Sequence, residues 1–229
     1  MGQWTTLKSA DGFELPAWQA APEGQARGAI VVLQEIFGVN AHIRAIVDRF
    51  AVRGWWAIAP ATFERVRAGV ELGYSASDVA VGVALKAQVE HLPAPGVLAD
   101  IQAAIDHAAQ ASGRKVGAIG FCWGGLLTWR AAALCTGLSA AVPYYGGGMT
   151  GEAEIARQPR VPLMAHFGRR DAHIPVKGVE ALAAAHPEIT VHLYDADHGF
   201  NCDQRASHDE AAAALARERT LAFLERHLA

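Results

Sequence analysis

Cysteine and charge are both scarce in this chain. Three cysteines, Cys122, Cys135 and Cys202, stand among 229 residues in an odd number and without framework spacing. That excludes a disulfide-stapled secreted domain and fits reduced thiols in a cytoplasmic protein. Charged residues make up 19% of the chain and nearly cancel, leaving a formal net charge of -3. With no basic stripe, nucleic acid is not an expected partner. Apolar runs such as residues 28–33 are strand-sized, far too short to cross a bilayer, so no membrane partner is expected either. The opening Met-Gly-Gln-Trp-Thr-Thr-Leu-Lys offers no apolar stretch for a signal peptide. Internal repeats, low-complexity tracts and linkers are all missing, which leaves residues 1–229 as a single domain, acting as a monomer or homodimer.

What is present is a core. Apolar residues are 52% of the chain, ample for one α/β domain. Short apolar runs alternate with amphipathic segments. Residues 29–33, 55–59, 116–121, 140–144, 162–167 and 190–194 read as strands buried on both faces. Residues near 41–53, 97–111, 123–136, 176–185 and 209–227 carry helical periodicity, with Ile43, Ile46, Val47 and Phe50 on one face of the first. An Asp11-Gly12 turn between residues 5–9 and 13–18 predicts an edge hairpin. Residues 61–96, with a helical stretch near 76–90, are expected to form a lid. The order predicts an α/β class protein, a single doubly wound and mostly parallel sheet with helices on both faces. Ligands then bind at the carboxyl ends of the strands.

The sharpest local feature is Gly120-Phe-Cys-Trp-Gly-Gly125, after a buried strand and at the head of an Ala-rich helix. It is the G-x-nucleophile-x-G elbow of the α/β-hydrolase fold, with Cys122 where serine is usual. A nucleophile on so tight a turn needs small residues two positions to either side. The positive end of the following helix favours thiolate over thiol. In this fold the acid and the histidine follow later strands. Asp171 stands after the strand ending near Phe167, and His198 after the strand ending at Tyr194. These are candidates to orient and to carry the thiol proton.

Gln34-Glu-Ile-Phe-Gly38 follows the first long strand. In this position a loop supplies one oxyanion amide and the residue after the nucleophile supplies the other, which nominates the backbone N–H groups of Ile36 and Trp123. Glu35 then sits near the thiol, either as a buried ion pair or as a control on the Cys122 proton. His192, Asp195, Asp197, His198 and Cys202 crowd one window of metal-ligating types. No H-E-x-x-H or paired-cysteine pattern accompanies them, so no metal and no cofactor is expected. The remaining histidines fall mainly on helices expected at the surface, and none receives a role.

Gln-Glu-Ile-Phe-Gly, Gly-Phe-Cys-Trp-Gly-Gly, Tyr-Tyr-Gly-Gly-Gly, Gly-Arg-Arg-Asp-Ala-His-Ile-Pro and Asp-His-Gly-Phe-Asn together resemble the dienelactone hydrolases, or carboxymethylenebutenolidases, in order from about residue 5 onward. The resemblance implies hydrolysis of a small ester or lactone by a Cys122–His198–Asp171 triad. It also implies that Glu35 is a movable base, released from an arginine when substrate arrives. The family's two carboxylate-binding arginines are not both in place. The lid stretch has Lys86 and no arginine, and Cys202 stands four residues past His198, with Arg205 three further on. Lys86 and Arg205 are therefore the candidate substitutes, and Phe37, Trp123, Tyr145 and Phe200 the expected aromatic lining. The competing reading is a non-catalytic hydrolase scaffold that binds a small carboxylic ligand, motivated by the incomplete arginine pair.

Overall fold

A computed structural model describes residues 2–228. Eight strands form one sheet: β1 (Gln3–Lys8), β2 (Glu14–Ala20), β3 (Ala29–Leu33), β4 (Trp56–Pro60), β5 (Val116–Phe121), β6 (Leu138–Tyr144), β7 (Met164–Gly168) and β8 (Thr190–Tyr194). Their order is β1-β2-β4-β3-β5-β6-β7-β8. The β1–β2 and β2–β4 pairs are antiparallel and every later pair is parallel. The helices are α1 (Ala41–Val52), α2 (Ala76–Glu90), α3 (Val97–Ser112), α4 (Trp123–Leu134), α5 (Glu152–Ile155), α6 (Val176–Ala185) and α7 (Glu210–Leu228).

The central strands β3 and β5 are buried at every position, as expected when helices cover both faces of a parallel sheet. Strand alternation sorts β5 between two layers. A side chain at Gly120 would strike α4 at Gly124 and Thr128, whereas one at Gly117 would meet Leu224 and Leu228 of α7. Helix α4 therefore lies on one face and α7 on the other, and α1 joins α7 in walling a cavity that Ile119 and Phe121 floor. Helix α1 starts where the Asn40 side chain accepts the Ile43 N–H, a common N-cap arrangement. Helix α2 begins with a reciprocal Ser75/Asp78 capping box.

The expected elements are all present, with shifted ends. The hairpin strands run 3–8 and 14–20 instead of 5–9 and 13–18, and β6 begins at Leu138, next to a register shift at Val116/Gly117. The short α5 was not expected, having too few residues for periodicity to register. Residues 61–96 are more fixed than a free flap. A Cβ at Gly82 would lie 2.2 Å from the Ile36 carbonyl oxygen, so α2 packs backbone-to-backbone on the loop after β3.

Candidate active site

Cys122 sits between β5 and α4 with φ 55° and ψ -116°, one of two non-glycine residues with positive φ among those described. Such a conformation is strained for an L-residue, and surrounding structure has to hold it. The Cys122 N–H donates to the Tyr144 carbonyl at 3.1 Å. The flanking glycines are sterically required. A Cβ on Gly120 would come within 2.0 Å of the Gly124 oxygen, and one on Gly124 within 2.2 Å of the Leu33 oxygen. The sequence expectation of small residues around the nucleophile thus has a specific cause, the closeness of α4 to β5 and β3.

Asp171 and His198 stand at the carboxyl ends of β7 and β8. The His198 Nδ1 is 2.7 Å from Asp171 Oδ2, and the other Asp171 oxygen accepts the N–H groups of His173 and Ile174 at 2.8 and 3.2 Å. That carboxylate is buried, and both its oxygens are occupied. Burial opposes a charged imidazole, but hydrogen bonds to Asp171 and Cys122 outweigh it and raise the His198 pKa from 6.5 to about 10. An imidazole held by a buried carboxylate, with the Cys122 thiol acting on its charge, has the makings of a group that moves a thiol proton.

The N–H groups of Ile36 and Trp123 make no hydrogen bond within the described residues. The Trp123 side chain is fastened elsewhere: its indole N–H donates to Glu90 Oε1 at 2.8 Å and its ring stacks on Phe63 at 4.9 Å. Glu90 also accepts from Arg130 at 2.6 Å. Residues from the 61–96 segment therefore clamp the first residue of α4.

Glu35 is 1% exposed, with one oxygen 3.3 Å from Arg205 Nη1 and the other without a partner. The Arg205 guanidinium lies over the rings of Phe37 and Tyr74, at 5.8 and 6.0 Å. Lys86 is half-buried on α2, one turn before Glu90, and makes no hydrogen bond to the triad or to Arg205 among the described residues. Phe37, Tyr145 and Phe200 are almost wholly covered. They pack edge-on, Tyr145 against His198 at 5.2 Å and against Phe200 at 5.3 Å. These buried rings stand behind the site, where the sequence predicts an aromatic lining.

Sequence reasoning passed over His42. It is fully buried at the start of α1, contrary to the surface position expected for it. Its Nδ1 is 3.1 Å from Asp203, and burial holds its pKa below the usual value despite Glu35 and Asp203 nearby. Glu35, His42 and Cys202 each bring a ligand-type atom within 4.8 Å of the others. The window of ligands named from the sequence does not converge in this way: Asp195 and Asp197 pair with Arg170, and His192 stacks on His166. Arg205 against Glu35 makes the buried trio a poor seat for a cation.

The model of the dienelactone hydrolase family matches residues 15–228. The chain belongs to this family. It is 36% identical over 215 residues to a Synechocystis sp. protein provisionally named a carboxymethylenebutenolidase, covering 87% of this chain and 86% of that one. The carboxymethylenebutenolidase of Pseudomonas putida is 31% identical over 240 residues, 96% of this chain and 94% of the relative. Among solved structures, a Klebsiella pneumoniae protein provisionally named a dienelactone hydrolase superposes with a TM-score of 0.82 at 33% identity, covering 97% of each chain. Membership makes this chain an α/β-hydrolase-fold enzyme that acts on lactones or esters. No helix among the described residues is long and apolar enough to cross a membrane.

Proposed function

We propose that the chain opens a small ester or lactone through a thioester on Cys122. The observation that carries this reading is the Asp171–His198 hydrogen bond beside Cys122 on its strained elbow, with Cys122 and Asp171 together raising the His198 pKa. The Cys122 thiolate attacks the substrate carbonyl carbon while the thiol proton resides on His198. The N–H groups of Ile36 and Trp123, free of protein acceptors, suit the oxyanion that forms. As the carbon–oxygen bond breaks, the leaving alkoxide takes the His198 proton; in a lactone it stays tethered to the acyl group. Water, deprotonated by His198, then cleaves the thioester to the carboxylate and restores the thiol. Asp171 fixes the imidazole tautomer throughout.

Glu35 serves a second route for the thiol proton. In the resting arrangement Arg205 holds one of its oxygens. A carboxylate on the substrate competes for Arg205 and sets Glu35 free to act as a base. This favours lactones or esters that bear a carboxylate, the carboxymethylenebutenolide class included, with Arg205 as the recognising group. The single planar fork, against two in the relatives this chain resembles, suits a looser grip. Lys86 is the remaining candidate to assist, from α2. The three unpaired cysteines fit work in a reducing compartment, the cytoplasm.

The test is a panel of activated esters and cis-dienelactone, assayed with and without iodoacetamide, with alkylated residues identified by mass spectrometry. Turnover that vanishes in step with modification of Cys122 supports the proposal. Full turnover after complete alkylation of Cys122 would refute it.

A further inference from the structure

A cavity of about 110 Å³ opens between α1 and α7, away from the triad. Its floor is apolar, built from Phe50, Ile119, Phe121 and Leu221. Three arginines, Arg49, Arg53 and Arg217, line the cavity with two carboxylates, Asp203 and Glu210; Asp203 is taken up by Arg49, while Arg53 and Arg217 have no ion-pair partner among the described residues. We propose that this cavity is a second site, binding a single-ring monocarboxylate of the benzoate class, and that its occupancy acts on Glu35 through Asp203 and His42.

Size and charge select the occupant. An engineered apolar cavity of roughly 150 Å³ accepts benzene, so this slightly smaller, half-open space takes one ring and leaves a substituent at the mouth. Guanidinium groups without an ion-pair partner at that mouth match a carboxylate, which pairs with arginine through two parallel hydrogen bonds. A neutral ring would waste the rim, and inorganic phosphate would waste the floor.

The same cavity reaches the catalytic carboxylate by a short chain of contacts. Arg49 and Asp203 are both lining residues, joined by an ion pair of 2.9 Å. The other Asp203 oxygen is 3.1 Å from His42 Nδ1. The far side of that ring, Nε2, is buried without a partner, as is Glu35 Oε2, and the two residues present ligand-type atoms within 4.8 Å. A carboxylate held by Arg53 and Arg217 also draws Arg49 from Asp203, which changes the Asp203–His42 contact and, through it, the field at Glu35. The site itself stands on geometry alone; its effect on turnover rests on the role given to Glu35 above.

Isothermal titration of benzoate into enzyme alkylated at Cys122 reads binding without any catalysis. The expected result is one site at millimolar affinity or better. Binding weakens by roughly tenfold in the double variant Arg53→Glu/Arg217→Glu, whose exposed side chains lie outside the catalytic machinery. Leu221→Trp, which fills the floor, abolishes binding and covers the case in which the double variant folds poorly. In unmodified enzyme, benzoate changes kcat for a saturating carboxylate-bearing lactone, the substrate type that frees Glu35, and the double variant loses that response. No binding to the alkylated wild type, or binding that neither change weakens, overturns the site. Binding without any change in kcat overturns the link to Glu35. Neither result bears on whether Cys122 is the nucleophile, which the alkylation assay decides separately.

Discussion

Arg205 reaches across 170 residues of chain to place its guanidinium 3.3 Å from one oxygen of Glu35 while the second oxygen is left unpaired. The asymmetry has consequences for both partners. Glu35 is almost completely buried, whereas the Arg205 side chain retains 23% exposure. The acid is thus the costly member to strand. A contact of 3.3 Å, at the long end of the hydrogen-bond range, is one that a substrate carboxylate can displace.

Replacing Arg205 with glutamine should therefore destabilise the protein. Breaking a fully buried pair costs about 3–5 kcal/mol, and the partial exposure of Arg205 argues for the lower part of that range or less. The same variant should lose more kcat/KM on carboxylate-bearing lactones than on neutral esters, since only the former compete for the guanidinium. Urea denaturation and paired kinetics on the two substrate types check both claims. Equal losses on the two types would remove Arg205 from substrate recognition and leave it a structural partner of Glu35.

His198 ties stability to alkaline pH. Its pKa in the folded state is about 10, against an ordinary value of 6.5; burial pulls it down, but Asp171 and Cys122 more than compensate. A group raised in this way contributes stability that is complete below about 6.5 and is lost as pH climbs through 10. Denaturation midpoints for the wild type should fall across that window more steeply than those of His198→Gln, measured in parallel. A flat difference between the two proteins from pH 6 to 10 would mean that the imidazolium is not held as described.

Asp171→Asn tests the orientation of the ring. An amide donates and accepts, so it no longer forces the Nδ1 proton, and the imidazole can present its wrong tautomer to Cys122. By analogy with serine triads, kcat should drop by roughly 10⁴. The elbow, held by the Cys122–Tyr144 backbone bond and close glycine contacts, should stay intact. The checks are kcat on an activated ester and an unchanged circular dichroism spectrum.

The placement of the candidate residues at the strand ends was legible in the sequence because local rules fix it. Gly120, Cys122 and Gly124 declare an elbow, and Asp171 and His198 announce themselves by following apolar strands. Arg205 was nameable as a partner for Glu35 only through the resemblance. His42 was not legible. On α1 its position relative to Ile43 and Ile46 does not reveal which face meets the buried end of the β3 loop, and its partner Asp203 lies 161 residues away. The aromatic residues were recognisable as neighbours of the site. How exposed Phe37, Tyr145 and Phe200 are depends on packing between the loops after β3, β6 and β8, which carries no periodic signal.

Gly82 offers a way to disturb the loop proposed to supply an oxyanion donor without touching it chemically. Its Cα side faces the Ile36 carbonyl so closely that an added Cβ would stand 2.2 Å from that oxygen. The obstacle is backbone, not a flexible side chain, so α2 or the Ile36 loop has to move by several tenths of an ångström at least. Helix α2 is peripheral and largely exposed, with Gly82, Leu85 and Val89 its only buried residues. Most of the fold can therefore accommodate the shift, and Gly82→Ala should unfold within roughly 1–3 kcal/mol of the wild type. If the Ile36 N–H is an oxyanion donor, moving its loop should cost it the oxyanion. A lost donor of this kind costs about 10²–10³ in kcat, while KM should change little because no binding group is removed. Steady-state kinetics and thermal unfolding, measured on the same preparation, separate the two effects. If kcat is preserved in a well-folded Gly82→Ala enzyme, the Ile36 amide is not part of the oxyanion hole, and the second donor has to be sought elsewhere on that loop.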